Sequence, residues 1–236
     1  NKGVSVILCA KDEAEMLSAN LPSFLEQDYP EYEVIVVDDQ SVDGTKYLLK
    51  DLEKKYFNLK VVTIDPHVIS RVGKKFALSI GIKTAKYDYV LLSDADCKAY
   101  SKNWISKMTS SFESKDIVLG ISPYKKTKGV LNKFIRFDEF IVMLQYLSYA
   151  LAKIPYMGVG RNLAYKKSLF FSVKGFASHI HIPSGDDDLF IKEVATKDNV
   201  AIQIHKEADV LSEPKQLFRI GRTKGKDIFL LLSIIR

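Results

Sequence analysis

Residues 34–45 read Val-Ile-Val-Val-Asp-Asp-Gln-Ser-Val-Asp-Gly-Thr. Four consecutive β-branched residues without polar alternation describe a strand covered on both faces, as in a parallel sheet. Two carboxylates, Asp38 and Asp39, stop the run. From Thr45 to Tyr56 the pattern changes to an amphipathic helix with Leu48, Leu49 and Leu52 on one side. The same alternation continues in both directions. Upstream, Val4 to Cys9 is a second short apolar run, and Leu17, Leu21, Phe24 and Leu25 follow at helical spacing. Downstream come a strand at Leu59 to Ile64, a helix at Lys74 to Ala85, and a strand at Tyr89 to Leu92 that runs into Asp94-Ala-Asp96. Strand and helix in turn, with short connections, predict an α/β fold with a mostly parallel central sheet and helices on both faces. In such sheets ligands collect beyond the carboxyl ends of the strands. The polar residues just after each strand are therefore the candidates for function.

The second half reads differently. Val130 to Lys153 is a long helix ended by Pro155. Its Phe, Leu and Tyr residues, like Trp104, read first as core, although there are more of them than one buried stripe needs. A turn at Gly158-Val-Gly160 leads to an apolar stretch at Leu163 to Tyr165, Gly185-Asp-Asp-Asp188 opens a helix through Ala195, and Val200 to Ile204 is a late strand. With no repeat, linker or low-complexity tract, residues 1–236 read as a single domain with halves at 1–98 and 99–236.

Bulk properties narrow the partners. The chain has 236 residues, 47% of them hydrophobic and 27% charged, enough to bury a sizeable core. A net charge of +6 suits nucleotide phosphate, nucleic acid or an acidic membrane face. The basic residues are scattered and no nucleic-acid motif occurs, so nucleic acid is not expected. The two cysteines, Cys9 and Cys97, read as buried free thiols of a reducing compartment. Asn1-Lys2-Gly3 leads straight into a strand, without the pattern of a signal peptide, and no apolar run is long enough for a complete membrane span. The run from Ile228 to Ile235, preceded by Arg219, Arg222, Lys224 and Lys226, reads as the start of a span or an interfacial helix.

Three clusters carry chemistry. Asp94 and Asp96, one residue apart at a strand end, are costly to bury without a partner, and a divalent ion shared with diphosphate oxygens is one such partner. The alternative is a pair of caps for a following helix. Arg71-Val-Gly-Lys74-Lys75 places a glycine and two lysines at a helix start, where phosphate binds, or forms a solvated basic turn. It lacks the spacing of a nucleotide-hydrolase phosphate loop, and no Gly-x-Gly-x-x-Gly follows the first strand, which counts against a dinucleotide-dependent dehydrogenase. Asp186, Asp187 and Asp188 repel one another and could supply a general base, or could simply begin a helix. His179 and His181 have no third ligand at metal-site spacing and read as loop residues.

The ordered set Val4-Ser-Val-Ile-Leu-Cys-Ala-Lys-Asp-Glu13, Val36-Val-Asp-Asp-Gln-Ser-Val-Asp-Gly-Thr45, Gly73-Lys-Lys-Phe-Ala-Leu78, Asp94-Ala-Asp96 and Gly185-Asp-Asp-Asp188 resembles glycosyltransferase family 2. The resemblance spans nearly the whole chain and implies the GT-A fold, a Rossmann-like sheet with a smaller acceptor-side subdomain. Lys11-Asp12 replaces the usual Tyr-Asn, Gln40 stands where Gly or Asn is usual, and Gln216-Leu-Phe-Arg219-Ile220 has Ile where polymerising members carry Trp. The resemblance implies inverting transfer of a sugar from a nucleoside-diphosphate sugar, UDP favoured, to a hydroxyl of a glycan or lipid-linked acceptor. It assigns residues 1–98 to the donor and 99–236 to the acceptor. Ala10, Glu13 and Asp39 would line the nucleoside pocket, Lys74 the diphosphate and Asp94 the ribose side. Asp96 would hold Mg²⁺ or Mn²⁺. Asp187, or Asp186, would be the base. Gly160, Arg161, Asn162 and Asp188 would lie by the sugar or acceptor, and Arg219 by the leaving group. Work at the cytoplasmic face of the inner or plasma membrane, on cell-envelope glycan or glycolipid, is the expected setting. A nucleotidyltransferase or a catalytically silent nucleotide-binding scaffold are the alternatives; the acids at 186–188 argue against the second.

Overall fold

The computed structural model describes residues 2–65, 73–179, 182, 186–214, 218–223 and 226–230, and for residues 179, 186 and 218 onward the backbone alone. In chain order the elements are β1 (Val4–Ala10), α1 (Ala14–Asn20), α2 (Pro22–Leu25), β2 (Tyr32–Asp38), α3 (Thr45–Lys55), β3 (Leu59–Thr63), α4 (Lys74–Thr84), β4 (Tyr89–Asp94), β5 (Cys97–Ala99) and α5 (Trp104–Thr109). There follow β6 (Ile117–Leu119), α6 (Val130–Leu151), β7 (Leu163–Lys166), α7 (Lys167–Ser172), α8 (Asp186–Val194), β8 (Val200–Ile202), β9 (Val210–Ser212), β10 (Phe218–Thr223) and β11 (Lys226–Leu230).

The expected α/β fold is present. A seven-stranded sheet has the order β3-β2-β1-β4-β7-β6-β8. Its pairs are parallel except at β7, which is antiparallel to both β4 and β6. The chain moves outward from β1 to β2 and β3, then returns to the other side of β1 as β4. That reversal opens a crevice between the carboxyl ends of β1 and β4. Because β7 runs the opposite way, the residues just before it, 160–162, reach the same end of the sheet.

Both faces of β1 are covered, which explains its unbroken apolar run. Val4, Val6 and Leu8 pack with Leu17, Leu21, Phe24 and Trp104 on one face. Ile7 packs on the other with Ala77, Leu78 and Ile82 of α4, and the same layer includes Tyr146, Phe190 and Ile191. At Gly81 the helix approaches so closely that a Cβ would lie 2.6 Å from Ile7 Cγ2.

Several local expectations are revised. The stretch through Leu17 to Leu25 is two helices rather than one, broken where Pro22 begins the second. The apolar stretch at Leu163 becomes the antiparallel strand inside the sheet. Cys97–Ala99 pairs with Val210–Ser212 in a separate ribbon. Lys226–Leu230 is a strand paired with Phe218–Thr223, so Ile228 begins no helix; residues 231–236 lie outside the described residues. Trp104 is core, edge-on to Phe24 at 5.2 Å. On α6, Tyr146 is buried, but Phe134, Phe137 and Phe140 are 55, 61 and 50% exposed. Among the described residues no helix is long and apolar enough to cross a membrane.

Candidate active site

Two loops form one wall of the crevice. Asp12, at φ 55°, and Gln40, at φ 59°, occupy left-handed backbone after β1 and β2. The loops are stitched together: Asp12 N–H donates to Ser41 Oγ at 2.9 Å, Val42 N–H to Asp12 Oδ1 at 2.7 Å, and Glu13 N–H to Thr45 Oγ1 at 3.1 Å. Asp43 accepts from the Ala14 and Thr45 amides, and its contacts with Thr45 hold its carboxyl below the usual carboxylate range. The Ser-Val-Asp-Gly-Thr motif at 41–45 is thus chiefly loop architecture.

A cleft of about 350 Å³ opens between these loops, the start of α4 and the end of β4. Ala10, Glu13, Asp39, Lys74, Asp94 and Asp96, the residues of the first half that the sequence assigned to donor or metal, line it. Asp39 is buried; its Oδ2 accepts from Gly73 N–H at 3.2 Å, while its Oδ1 has no hydrogen-bond partner among the described residues. Lys74 Nζ meets Asp94 Oδ1 at 2.8 Å across the cleft. The neighbouring Lys75 is instead buried, its Nζ donating to Ile182 O at 2.7 Å, so only the first of the two lysines faces the cleft. Cys9, which sequence reading placed in the core, is half-buried and lines the cleft beside Ala10. Cys97 is buried, and burial, with Asp94 and Asp96 nearby, pushes its thiol well up; the protonated thiol donates to Asp96 Oδ1 at 3.3 Å.

No helix starts directly after Asp96, since β5 follows, and the capping alternative for Asp94 and Asp96 falls away. Among the described residues there is no group of three or more His, Cys, Asp or Glu suited to a metal. Two carboxylates at a strand end would leave most ligand positions of a hard cation to phosphate and water. That donor set fits Mg²⁺ or Mn²⁺ bound together with a diphosphate, and not a closed thiolate or imidazole site.

The acceptor-side candidates divide. Asp187 Oδ2 accepts from Gly160 N–H at 2.8 Å, and a Cβ on Gly160 would collide with that carboxylate. Asp187 therefore bonds outside its own helix. Arg161 and Asn162 are buried. The Asn162 amide donates to Ile121 O and Ala208 O, both at 2.7 Å, and accepts from Trp104 Nε1 at 3.0 Å. The Arg161 guanidinium pairs with Glu139. Burial first, then Tyr149 and last Asp188, raises the Tyr156 phenol above its ordinary value. Ser93 Oγ donates to Arg161 O at 3.0 Å, tying this turn to the strand that carries Asp94. The side chains of Asp186 and Arg219 lie outside the described residues, as do Arg71, His181, Gly185 and Gln216. Glu139 and Cys9 carried no mark in the sequence. One is an acid in an apolar helix and the other a small residue in a core-like strand.

Residues 5–172 match the model of glycosyl transferase family 2, and the chain belongs to that family. Over 95 residues it is 38% identical to a poly-beta-1,6-N-acetyl-D-glucosamine synthase of Staphylococcus epidermidis, a match covering 40% of this chain and 22% of the synthase. Solved structures that share the fold include two glycosyltransferase complexes. The mannosyltransferase PcManGT from Pyrobaculum calidifontis, in complex with GDP-Man and Mn²⁺, superposes with TM-score 0.68 at 19% identity, covering 90% of this chain and 57% of that one. TarS of S. aureus (residues 1–349), in complex with UDP-GlcNAc, superposes with TM-score 0.65 at 21% identity over 91% and 59%. The fold is that of the GT-A glycosyltransferases.

Proposed function

We propose that this chain is the catalytic domain of an inverting glycosyltransferase that uses a UDP-sugar and a divalent ion to glycosylate a hydroxyl of a cell-envelope glycan or lipid-linked acceptor. The observation that carries the reading is the convergence of Ala10, Glu13, Asp39, Lys74, Asp94 and Asp96 on one cleft at the switch point of the sheet. Among the described residues the buried Oδ1 of Asp39 has no hydrogen-bond partner, a state that costs roughly 1–3 kcal/mol, and an imide N–H of uracil is a donor that would satisfy it. Lys74, now paired with Asp94, would turn to the diphosphate. Asp96, held by the Cys97 thiol, would ligate Mg²⁺ or Mn²⁺, which when bound supplies positive charge to the departing diphosphate. Asp187 would take the proton of the acceptor hydroxyl. The complexes of the two structural neighbours, one with UDP-GlcNAc and one with GDP-Man and Mn²⁺, support donor class and ion.

The test is release of nucleoside diphosphate from UDP-GlcNAc and other nucleotide sugars, with and without Mn²⁺. Asp187→Asn should lower turnover by ~10²-fold or more with nucleotide affinity little changed. Asp96→Ala should abolish Mn²⁺-dependent nucleotide binding in a folded protein. Release of pyrophosphate in place of nucleoside diphosphate would make it a nucleotidyltransferase, and undiminished Mn²⁺-stimulated turnover without Asp96 would remove that residue from the mechanism.

A different surface supports a proposal about location. The exposed side of α6 carries Val130, Phe134, Phe137, Ile141, Leu144 and Leu151 in three-, four- and seven-residue steps, with exposed Lys133 and Arg136 beside them. An apolar stripe with Lys133 and Arg136 along one edge and the single acid Asp138 on the other suits an anionic lipid surface, and we propose that the domain works at the cytoplasmic face of the inner or plasma membrane. The domain should float with phosphatidylserine-containing vesicles at low salt and detach as salt rises. Failure of Phe134→Ser/Phe137→Ser to weaken flotation would exclude α6 as the contact.

A further inference from the structure

We propose that Glu139 is a positioning residue for Asp187: its buried ion pair with Arg161 fixes the turn whose Gly160 amide holds the Asp187 carboxylate. The inference rests on the reading of Asp187 as the base.

The chain of contacts is short and continuous. Glu139 sits on the side of α6 turned away from the exposed stripe, with its side chain 14% exposed. Its Oε1 meets Arg161 Nη2 at 2.5 Å, and the Arg161 side chain is 7% exposed. The guanidinium lies over the Tyr124 ring, 4.7 Å from its centre, with Nη1 3.5 Å from Ser212 Oγ on β9. Burial alone would lower the guanidinium's pKa; Glu139 beside it reverses the direction and holds the charge. One residue earlier in the chain, Gly160 N–H points at Asp187 Oδ2, 2.8 Å away. The Arg161 carbonyl is held by Ser93, next to Asp94, and Asn162 is held through its side chain to three partners.

Glu139 thus reaches, through Arg161, a turn bonded both to the strand of the donor-side acids and to the acceptor-side carboxylate. Two charges withdrawn from water contribute little net stability, and replacing such a pair by apolar residues of similar volume is often neutral or stabilising. What the ion pair adds is direction: a charge-assisted hydrogen bond from Nη2 to the Glu139 carboxylate, with Nη1 toward Ser212, fixes the orientation of the guanidinium where two thioethers would not. Since Gly160 leaves no room for even a methyl group beside Asp187, a small rotation of the turn displaces the carboxylate.

The experiment compares the whole chain with Glu139→Gln, with the double variant Glu139→Met/Arg161→Met, and with Asp187→Asn. It measures turnover of UDP-GlcNAc, UDP affinity, melting temperature, and hydrogen exchange of peptides covering residues 158–164. The double variant is included because Glu139→Gln leaves Arg161 unpaired and can unfold the protein. Both Glu139 variants should exchange in that segment roughly tenfold faster or more, with β1 and β4 unchanged. Their turnover should fall by about tenfold or more while UDP affinity holds. The melting temperature of the double variant should match or exceed the parent's, and Glu139→Asp should recover part of the turnover lost in Glu139→Gln. Unchanged exchange around Gly160 overturns the proposal, whatever the turnover. Full turnover in the double variant, with Asp187→Asn inactive, overturns it too and leaves the base intact. Full turnover in Asp187→Asn removes the base reading itself.

Discussion

At the scale of single residues, the acids and the lysine after the strands were legible because burial of a charge needs a reason, and a strand end in a parallel sheet supplies one. What the sequence did not reveal is which polar residues face inward to hold others. Arg161 and Asn162 read as contacts for sugar or acceptor, yet their side chains are engaged with Glu139, Trp104 and two carbonyls. Lys75 is likewise turned to a carbonyl, a distinction between adjacent lysines that only the helix phase decides. Gln40 is the reverse case, a departure visible in the sequence whose cause is backbone geometry. Gln40 sits at φ 59°, where a Cβ crowds the following carbonyl; Gly has no Cβ and Asn offsets the cost by local hydrogen bonds, which fits the Gly or Asn usual there. Gln40→Gly should raise stability by roughly 0.5 kcal/mol or more, read from urea unfolding midpoints. A loss of stability would mean that contacts of the Gln40 side chain outweigh the strain.

At the scale of elements, long periodic segments were found almost to their ends, because an amphipathic stripe repeats often enough to be seen. Three-residue strands have no such repetition. β5 and β9 pair across more than a hundred residues, and nothing local in Cys97-Lys-Ala99 announces Val210-Leu-Ser212 as a partner. The reversal at β7 was hidden for the same reason, since direction is a property of the sheet and not of a four-residue run. The β5–β9 ribbon also has its own acid–base signature. Burial raises the carboxyl of Asp209, just before β9, to about 6, with Lys206 opposing, and Asp209 Oδ1 is buried without a hydrogen-bond partner among the described residues. Its folded pKa is above the unfolded value of about 3.9. Between those values the folded state holds a proton that the unfolded state has released, so stability falls as pH rises from about 4 to 6 and the penalty is complete above that. Asp209→Asn should therefore raise the melting temperature at pH 8 and leave it nearly unchanged at pH 4. Equal effects at the two pH values would show that Asp209 ionises normally in the folded protein.

At the scale of the whole molecule, motifs dispersed along the first hundred residues meet because parallel strands deliver their ends to one side, which is why their order in the sequence was informative. The exposed stripe of α6 was only half legible: excess apolar residues were visible, but which of them face outward depends on packing beneath Tyr146 and Leu147. The two thiols, alike in sequence, are placed by the fold in opposite circumstances. Cys97 is sealed in the interior, its thiol pushed well up, whereas Cys9 opens into the cleft. Thiolates are the reactive form, so an alkylating reagent meets a molecule with one addressable sulfur. Iodoacetamide should modify Cys9 in the folded protein and reach Cys97 only after unfolding, with mass spectrometry of the two peptides as the measure. Saturating UDP should slow modification of Cys9, and labelling indifferent to UDP would place the nucleotide elsewhere. The protein then carries a built-in gauge of occupancy. Candidate nucleotides can be ranked by the protection they give one sulfur, before any acceptor is known and without a single turnover.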